Sequence, residues 1–569
     1  MSNTFFPPIA VVGMSGIFPK AFNRNDFWRN IERKIDASAE VPENRWVAPV
    51  TWVYDNSPRP DMAYSRRACL VEGFRFDASG FELDQQSLEK FDPLHQWVLH
   101  TARDALQNCR SILDHRRVGI ILAAIALPTD LSSKISRTFL ELQFQEGLPV
   151  EEKKTISFAD AFCGRVVGSP AALVARGLGL GGVSYTLDAA CASSLYALKL
   201  ACEELQNGRA DAMLAGGVSR PDCLYTQIGF SQLRALSPSG RCAPFDHRAD
   251  GLVVGEGAGV MVLKRLEDAV DQDDFIYGVI RGIGLTNDMR GNLLAPESAG
   301  QIRAMKMAYD KAGWHPHDVD YIECHGAGTP VGDTTELSSL RVLWGNEGWR
   351  RGQCAIGSIK SMIGHLLTGA GAAGMIKTLL ALHHGTLPPS LNFERPPASS
   401  PLIDGPFRIQ TEANPWHRRA DGEPRRAAVS AFGFGGINAH VLIEEWLGES
   451  GEEGPRATLR GRVNEPESPK HGTDVAIVGM DIQLGRLETV RDFQEAVFNG
   501  RTVLTAPLPE RRRAPDASGL LPAGFIEELS IQLGEFQIPP GEIPDILHKP
   551  FTEDMLRAAI EKHIRSSKL

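Results

Sequence analysis

A chain of 569 residues with 43% apolar and 23% charged side chains has globular composition and room for a large core, which excludes a disordered polymer. Its formal net charge of −10 disfavours a nucleic-acid binder, and no run approaches the roughly 20 apolar residues of a membrane span. Nine scattered cysteines without a CxxC pair fit neither a disulfide framework nor a zinc site, and the start MSNTFFPPIAVVGM lacks secretion-signal features, so the reading is a reduced, cytoplasmic, metal-free protein.

From the N-terminus, the pattern predicts a strand at Ile9–Val12 and helices at Phe27–Lys34 and Leu94–Gln107. The apolar run from Val118, ended by Pro128, reads as a buried strand over Val118–Ala124. A strand at Val183–Leu187, a helix at Leu195–Asn207 and strands at Ala212–Ala215 and Gly259–Leu263 follow. A polar seam near Asp268–Asp274 precedes a strand at Val279–Gly284, a helix at Gln301–Ala312 and strands at Tyr321–Cys324 and Ala355–Gly357. A helix at Ala372–His384 and a strand at Ala428–Phe432 complete the series. This alternation predicts an α/β fold with largely buried strands, in two halves divided at the seam: 1–270 and 271–447.

Length alone predicts about four domains at roughly 150 residues each. An internal repeat changes that expectation. Ile9-Ala-Val-Val-Gly-Met14 recurs as Val475-Ala-Ile-Val-Gly-Met480, and the same 466-residue offset carries Asp26-Phe27 onto Asp492-Phe493. Asp92–His95 resembles Asp545–His548, and Ala102–Leu106 resembles Leu556–Ile560, at a shorter offset. Residues 448–473 are rich in Gly, Pro, Glu and Arg and read as a linker. The expectation is one large unit, a linker, and an incomplete second copy over 474–569.

Four segments carry possible chemistry. In the first, a β-type run ends at Asp188-Ala-Ala, and Cys191 opens the helix that continues to Cys202. A cysteine there feels the positive end of the helix dipole, which favours the thiolate, and the unpaired amides could bind an oxyanion. It also fits a small buried apolar residue. In the second, the strand Tyr321–Cys324 delivers His325 into the turn Gly326-Ala-Gly-Thr329-Pro-Val-Gly-Asp333. In the third, Lys360 and His365 lie in a mostly apolar stretch, where burying both is costly unless they are paired or used. The following Gly369-x-Gly371-x-x-Gly374 does not follow a strand, so it reads as close helix packing rather than a dinucleotide site. In the fourth, Gly433-Phe434-Gly-Gly436 reads as an apolar-lined gate, and His440 as structural.

These four motifs, in this order, resemble the β-ketoacyl synthases, the condensing enzymes of fatty-acid and polyketide assembly. The resemblance spans residues 8 to about 447 and includes Gly164–Leu180, Cys242–Asp246 and Gly251–Gly259. It implies the thiolase fold, two similar βαβαβαββ halves in a five-layered α/β/α/β/α arrangement, and a homodimer paired through strands. It implies Cys191 as nucleophile, His325 and His365 as the catalytic histidines and Lys360 as the active-site lysine, with Glu336 as its ion-pair partner. Phe434 matches a gating phenylalanine whose amide would join that of Cys191 in an oxyanion hole; Gly433 supports that loop. Ala327 stands where many members have the threonine that binds the pantetheine arm, leaving that contact to Thr329. Met362, Ala189 and Ala192 are further departures.

The implied reaction is decarboxylative Claisen condensation on substrates carried by the phosphopantetheine of an acyl carrier protein, with no cofactor bound by the chain itself. The stretch Asp92–Trp97 and the second copy resemble synthases of polyunsaturated fatty acid and heterocyst-glycolipid pathways, where a chain-length-factor-like domain or subunit accompanies the synthase. Two alternatives are a non-catalytic chain-length-factor-type partner of another synthase, which Cys191 disfavours, and a thiolase-like CoA acyltransferase. The absence of cysteine from 433–436 disfavours the second. The acidic carrier protein needs a basic patch, for which Arg66-Arg67 and Arg116-Arg117 are the candidates by composition.

Overall fold

The computed structural model describes residues 7–46, 48–134, 168–289, 295–419, 422–448, 476–482 and 484–504. It divides into two units, Met1–His471 and Gly472–Leu569.

Among the described residues of the first unit eleven strands form one sheet: β1 (Ile9–Ile17), β2 (Val118–Ala124), β3 (Ser184–Leu187), β4 (Ala212–Ser219), β5 (Gly257–Arg265), β6 (Gly278–Asn287), β7 (Tyr321–Glu323), β8 (Cys354–Gly357), β9 (Phe407–Ile409), β10 (Arg426–Gly433) and β11 (Ile437–Glu444). Their spatial order is β9-β8-β7-β10-β11-β6-β1-β5-β4-β2-β3. Read outward-in, the first half runs β3-β2-β4-β5-β1 and the second β8-β7-β10-β11-β6, with β9 added at the edge. Each half therefore places its third, second, fourth, fifth and first strands in the same sequence. The first strands meet in the middle, where Ile9–Val11 pairs antiparallel with Gly278–Ile280.

Its helices include α1 (Arg24–Glu32), α2 (Pro93–Gln107), α3 (Ser169–Gly177), α4 (Ser193–Gln206), α5 (Cys223–Gln232), α6 (Ser298–Ala312), α7 (Pro330–Trp344), the single turn α8 (Lys360–Ile363) and α9 (Ala370–His384). α2 and α3 cover the outer face of the first half, and α6 and α7 that of the second. α4 and α9 lie between the halves and touch strands of both. The result is the five-layered thiolase arrangement. A helix flanked by strands of both halves must be apolar all round, and every residue from Ala370 to Leu382 of α9 is buried. Its small residues permit the approach: a Cβ on Gly371 would lie 2.8 Å from Ser194 Oγ and 2.9 Å from Leu195 Cγ.

All nine predicted strands are present, mostly longer than predicted, as are all five predicted helices. Elements α3, α5, α7, α8, β9 and β11 have no counterpart among the predicted ones.

In the second unit, α10 (Val490–Phe498) has the nine-residue length of α1 at the 466-residue offset. Thr489 accepts from the Asp492 amide as Asn23 accepts from that of Asp26. Leu484 and Leu487 exchange two backbone hydrogen bonds, as Phe18 and Ala21 do. Phe27 and Ile31 are buried in the first unit, whereas Phe493 and Val497 are 37% and 60% exposed. The linker, except Gly448, and the repeat landmarks at 545–548 and 556–560 lie outside the described residues.

Candidate active site

The candidate nucleophile follows a strained turn. Between β3 and α4, Ala190 adopts a φ of 49°, the left-handed region uncommon for a residue with a Cβ. Asp188 holds the turn by accepting from the amides of Ala190 at 2.9 Å and Ala126 at 2.8 Å. Ser193 Oγ accepts from the Ala189 amide at 2.7 Å and donates to the Ala190 carbonyl at 2.5 Å. Gly433 closes over this turn; a Cβ there would lie 3.0 Å from both Ala190 Cβ and Cys191 N.

The depressed thiol pKa expected at a helix N-terminus is not what the structure gives. Burial pushes Cys191 up to about 11, while the Lys360 ammonium and the amides of Phe434 and Cys191 pull the other way. Desolvation of Sγ, in a residue only 8% exposed, outweighs that ammonium and those amides. With the thiol at about 11 and only the thiolate reactive, alkylation of Cys191 by iodoacetamide is expected to rise about tenfold per pH unit from pH 7 to 10. Peptide mapping across that range checks it; a plateau near pH 8 contradicts it.

His325 lies just beyond β7, and its Nδ1 accepts from the Phe432 amide at 3.2 Å. His365 follows α8, and its Nδ1 accepts from the Leu367 amide at 3.0 Å. An amide only donates, so in each neutral ring the proton is on Nε2. Burial and the nearby Lys360 ammonium hold both imidazoles well below their ordinary pKa, hence neutral. The rings meet edge to face with centroids 5.3 Å apart. The pair therefore presents two Nε2–H donors, a set suited to a developing enolate oxygen.

Lys360 Nζ donates to the His325 carbonyl at 2.6 Å. Glu336, expected as its ion-pair partner, instead accepts from the amides of His325 at 2.7 Å and Gly326 at 2.8 Å. The lysine and glutamate thus grip the same turn from different sides; their coupling is through space, and it opposes the burial that pushes Glu336 up to about 7. The turn consumes two amides that need an acceptor, and Glu336 is the buried group that reaches them. Asp333 does the same for the Phe245 and Gly328 amides. Thr329 precedes α7 with its side chain half-buried. Ala327 belongs with Leu236 and Leu252 to an apolar cluster, against which Phe230, 6.2 Å from the Phe434 ring, packs.

Other motif residues act as braces. Glu256 takes a bidentate hydrogen bond from Arg45 and one from the Val71 amide. Asp246 accepts from the amides of Glu394 and Arg395. His440 is buried against Ser430, as expected of a structural histidine. The arginines considered for carrier docking all have partners within the chain. Arg66 pairs with Glu40, Arg116 with Asp114 and Arg117 with Asp211, while Arg67 donates to Gly240 and Ser38.

The family model described as "Beta-ketoacyl synthase, N-terminal domain" matches residues 7–269, and "Beta-ketoacyl synthase, C-terminal domain" matches 277–394. The chain belongs to the β-ketoacyl synthase family. This synthase is 36% identical over 448 residues to polyketide synthase PksL of Bacillus subtilis, covering 78% of this chain and 9% of that protein. It is 32% identical over 521 residues to a polyunsaturated fatty acid synthase polypeptide of Thraustochytrium, covering 89% of this chain and 24% of that one. The synthase thus spans a quarter or less of these two relatives. Among solved structures it matches "PfaC Keto synthase-Chain length factor" at 34% identity and a TM-score of 0.75, over 89% of this chain and 54% of that one. It matches a ketosynthase from module 6 of the bacillaene synthase of Bacillus subtilis at 33% identity and a TM-score of 0.67. That match covers 78% of this chain and 73% of the other.

Among the described residues, no group of three His, Cys, Asp or Glu side chains could hold a metal ion, and no helix is long and apolar enough to cross a membrane.

Proposed function

We propose that this synthase catalyses decarboxylative Claisen condensation of an acyl thioester with a malonyl thioester, both carried on the phosphopantetheine of an acyl carrier protein. The observation that carries this reading is the pairing of a thiol flanked by two amides with two neutral imidazoles that both carry the proton on Nε2. Cys191 Sγ attacks the acyl carbonyl, the amides of Cys191 and Phe434 hold the oxyanion, and the carrier thiol leaves with a proton. Thr329 contacts the pantetheine arm. Malonyl thioester then enters, and Nε2–H of His325 and His365 hydrogen-bond its thioester oxygen as CO2 departs. The resulting enolate carbon attacks the acyl-Cys191 carbonyl, forming the new C–C bond and releasing the Cys191 thiolate, which takes a proton from water. Lys360 and Glu336 hold the His325 turn, Phe434 gates the acyl chamber, and Gly433 lets its loop close. Incubation with acyl and malonyl carrier substrates should yield first an acyl mass adduct and then a β-ketoacyl thioester with CO2; a chain-length-factor-type protein or a thiolase would not give both.

Residues 474–569 are read as the beginning of a second, chain-length-factor-like copy. The recurrence of the helix cap and the Leu484–Leu487 bridge supports this, as does the 89% coverage reached by the polyunsaturated fatty acid synthase polypeptide and by the keto synthase–chain length factor. We read the synthase as working beside a second synthase-like or chain-length-factor partner in polyunsaturated fatty-acid assembly, a reading supported by its likeness to a polyunsaturated fatty acid synthase and to a keto synthase–chain length factor.

The synthase is further read as a homodimer paired through β3. This strand lies at the sheet edge with all four residues only half-buried, and the preceding Val183 is 38% exposed. An edge strand with apolar side chains and unpaired backbone groups is a template for pairing. The double variant Val183→Lys/Tyr185→Lys is expected to shift the mass measured by light scattering from twice the chain mass to 62.1 kDa. A variant that keeps the dimer mass would contradict this interface.

A further inference from the structure

Behind the imidazole pair lies a buried charged cluster that the chemistry above does not use. Glu323 ends β7, two residues before His325, and Lys377 lies in α9, downstream of His365. They are 2% and 0% exposed, with Lys377 Nζ 2.7 Å from Glu323 Oε2. The same Oε2 accepts from the Tyr321 hydroxyl at 2.6 Å. Oε1 accepts from the Ile359 amide at 2.6 Å, and Ile359 immediately precedes Lys360. Tyr321 also presents its ring to the ammonium, 5.7 Å from Nζ to the centroid. One carboxylate therefore ties together the strand that delivers His325, the turn that delivers Lys360 and the helix that follows His365.

Simple stability does not account for this pair. Two ions buried without water are costly, and apolar side chains of the same shape often hold a core as well or better. The surroundings are shaped around the carboxylate all the same. Gly374 leaves room for it, since a Cβ there would lie 3.1 Å from Glu323 Cγ. α9 is also anchored on the nucleophile side, where the Ala372 amide donates to Ser194 Oγ at 2.9 Å. The Cys191 turn itself is held by Asp188 and Ser193, with no contribution from the buried pair.

We propose that Glu323 and Lys377 are a pair of positioning residues that set the placement of His325, Lys360 and His365 for the decarboxylation step, with far less effect on acyl transfer to Cys191. This inference rests on the condensing reading above.

The test uses the full chain with two probes: an octanoyl thioester of N-acetylcysteamine for loading, read as a mass adduct, and the malonyl thioester of N-acetylcysteamine for CO2 release. Glu323→Gln keeps an acceptor for the Ile359 amide but strands the ammonium; Lys377→Met strands the carboxylate. Each is expected to lower CO2 release about a hundredfold, as displaced catalytic groups do, and to slow loading far less. The double variant removes both charges and is expected to release CO2 faster than either single variant. Tyr321→Phe keeps both charges and serves if the single variants do not fold; it is expected to lower CO2 release and to slow loading far less. A merely structural role would depress loading and CO2 release by the same factor, and that outcome overturns the proposal. So does unchanged CO2 release in Glu323→Gln or Tyr321→Phe, or a double variant no better than the singles. A wild-type chain that neither loads nor decarboxylates would sink the condensing reading itself, which distinguishes the two failures.

Discussion

Cys191→Ala is expected to abolish the acyl adduct outright. No other described thiol stands at the turn between β3 and α4, and the other seven described cysteines are buried elsewhere. The substitution removes one sulfur from a site otherwise held by backbone and Asp188, so the fold and its thermal midpoint should change little. The measurement is the intact mass after incubation with acyl carrier protein or an acyl thioester mimic. An adduct that persists on the variant would mean the nucleophile is another residue. Malonyl decarboxylation should survive in the variant, because the imidazole pair does not depend on the thiol.

His325→Ala and His365→Ala are expected to do the reverse. Removing one preorganised donor to a developing oxyanion costs about 10²–10³ in rate, so CO2 release should fall by that order in each variant. Loading on Cys191 should persist, since its oxyanion donors are the amides of Cys191 and Phe434. The variants need not be equal. His325 also supplies the acceptor for the Phe432 amide, two residues before Phe434, whereas His365 supplies one for Leu367. His325→Ala should therefore loosen the loop carrying Phe434 and slow loading modestly, which His365→Ala should not. Equal loss of both steps in both variants would contradict the division of labour between thiol and imidazoles.

These expectations use residues of unequal legibility. Cys191, His325, Lys360 and His365 stand out because a reactive or basic side chain interrupts an apolar or glycine-rich context, where an unused charge would be selected against by its burial cost. Glu323 and Lys377 are as buried and as charged, but Glu323 sits in a strand and Lys377 in a helix, positions where an isolated ion reads as a surface face. Only the fold places them 2.7 Å apart. Among the elements, β11 escaped notice because it follows Gly433–Gly436, and a turn signal that dense masks the alternation beginning at Ile437. α7 escaped because its first turn continues the glycine-rich run after His325, with Thr329-Pro330 marking a helix start rather than a loop.

The two expectations that failed did so for related reasons. Proximity to a helix terminus argued for a low thiol pKa, and family resemblance paired Glu336 with Lys360. Desolvation governs the first, and unsatisfied amides of the His325 turn govern the second. Both depend on how much water and how many backbone donors surround a side chain, which is a property of packing.

By itself, then, the amino-acid sequence determined the α/β class, the seam between two halves, the internal repeat and the order of the reactive residues. These follow from local periodicity and residue type, which neighbouring positions report directly. The tertiary structure decided that β1 and β6 join the halves, that both imidazoles expose Nε2–H, and that Glu323 meets Lys377. Those outcomes are set by contacts between residues tens to hundreds of positions apart, where desolvation and the competition for backbone hydrogen bonds choose among arrangements that the local pattern leaves equal.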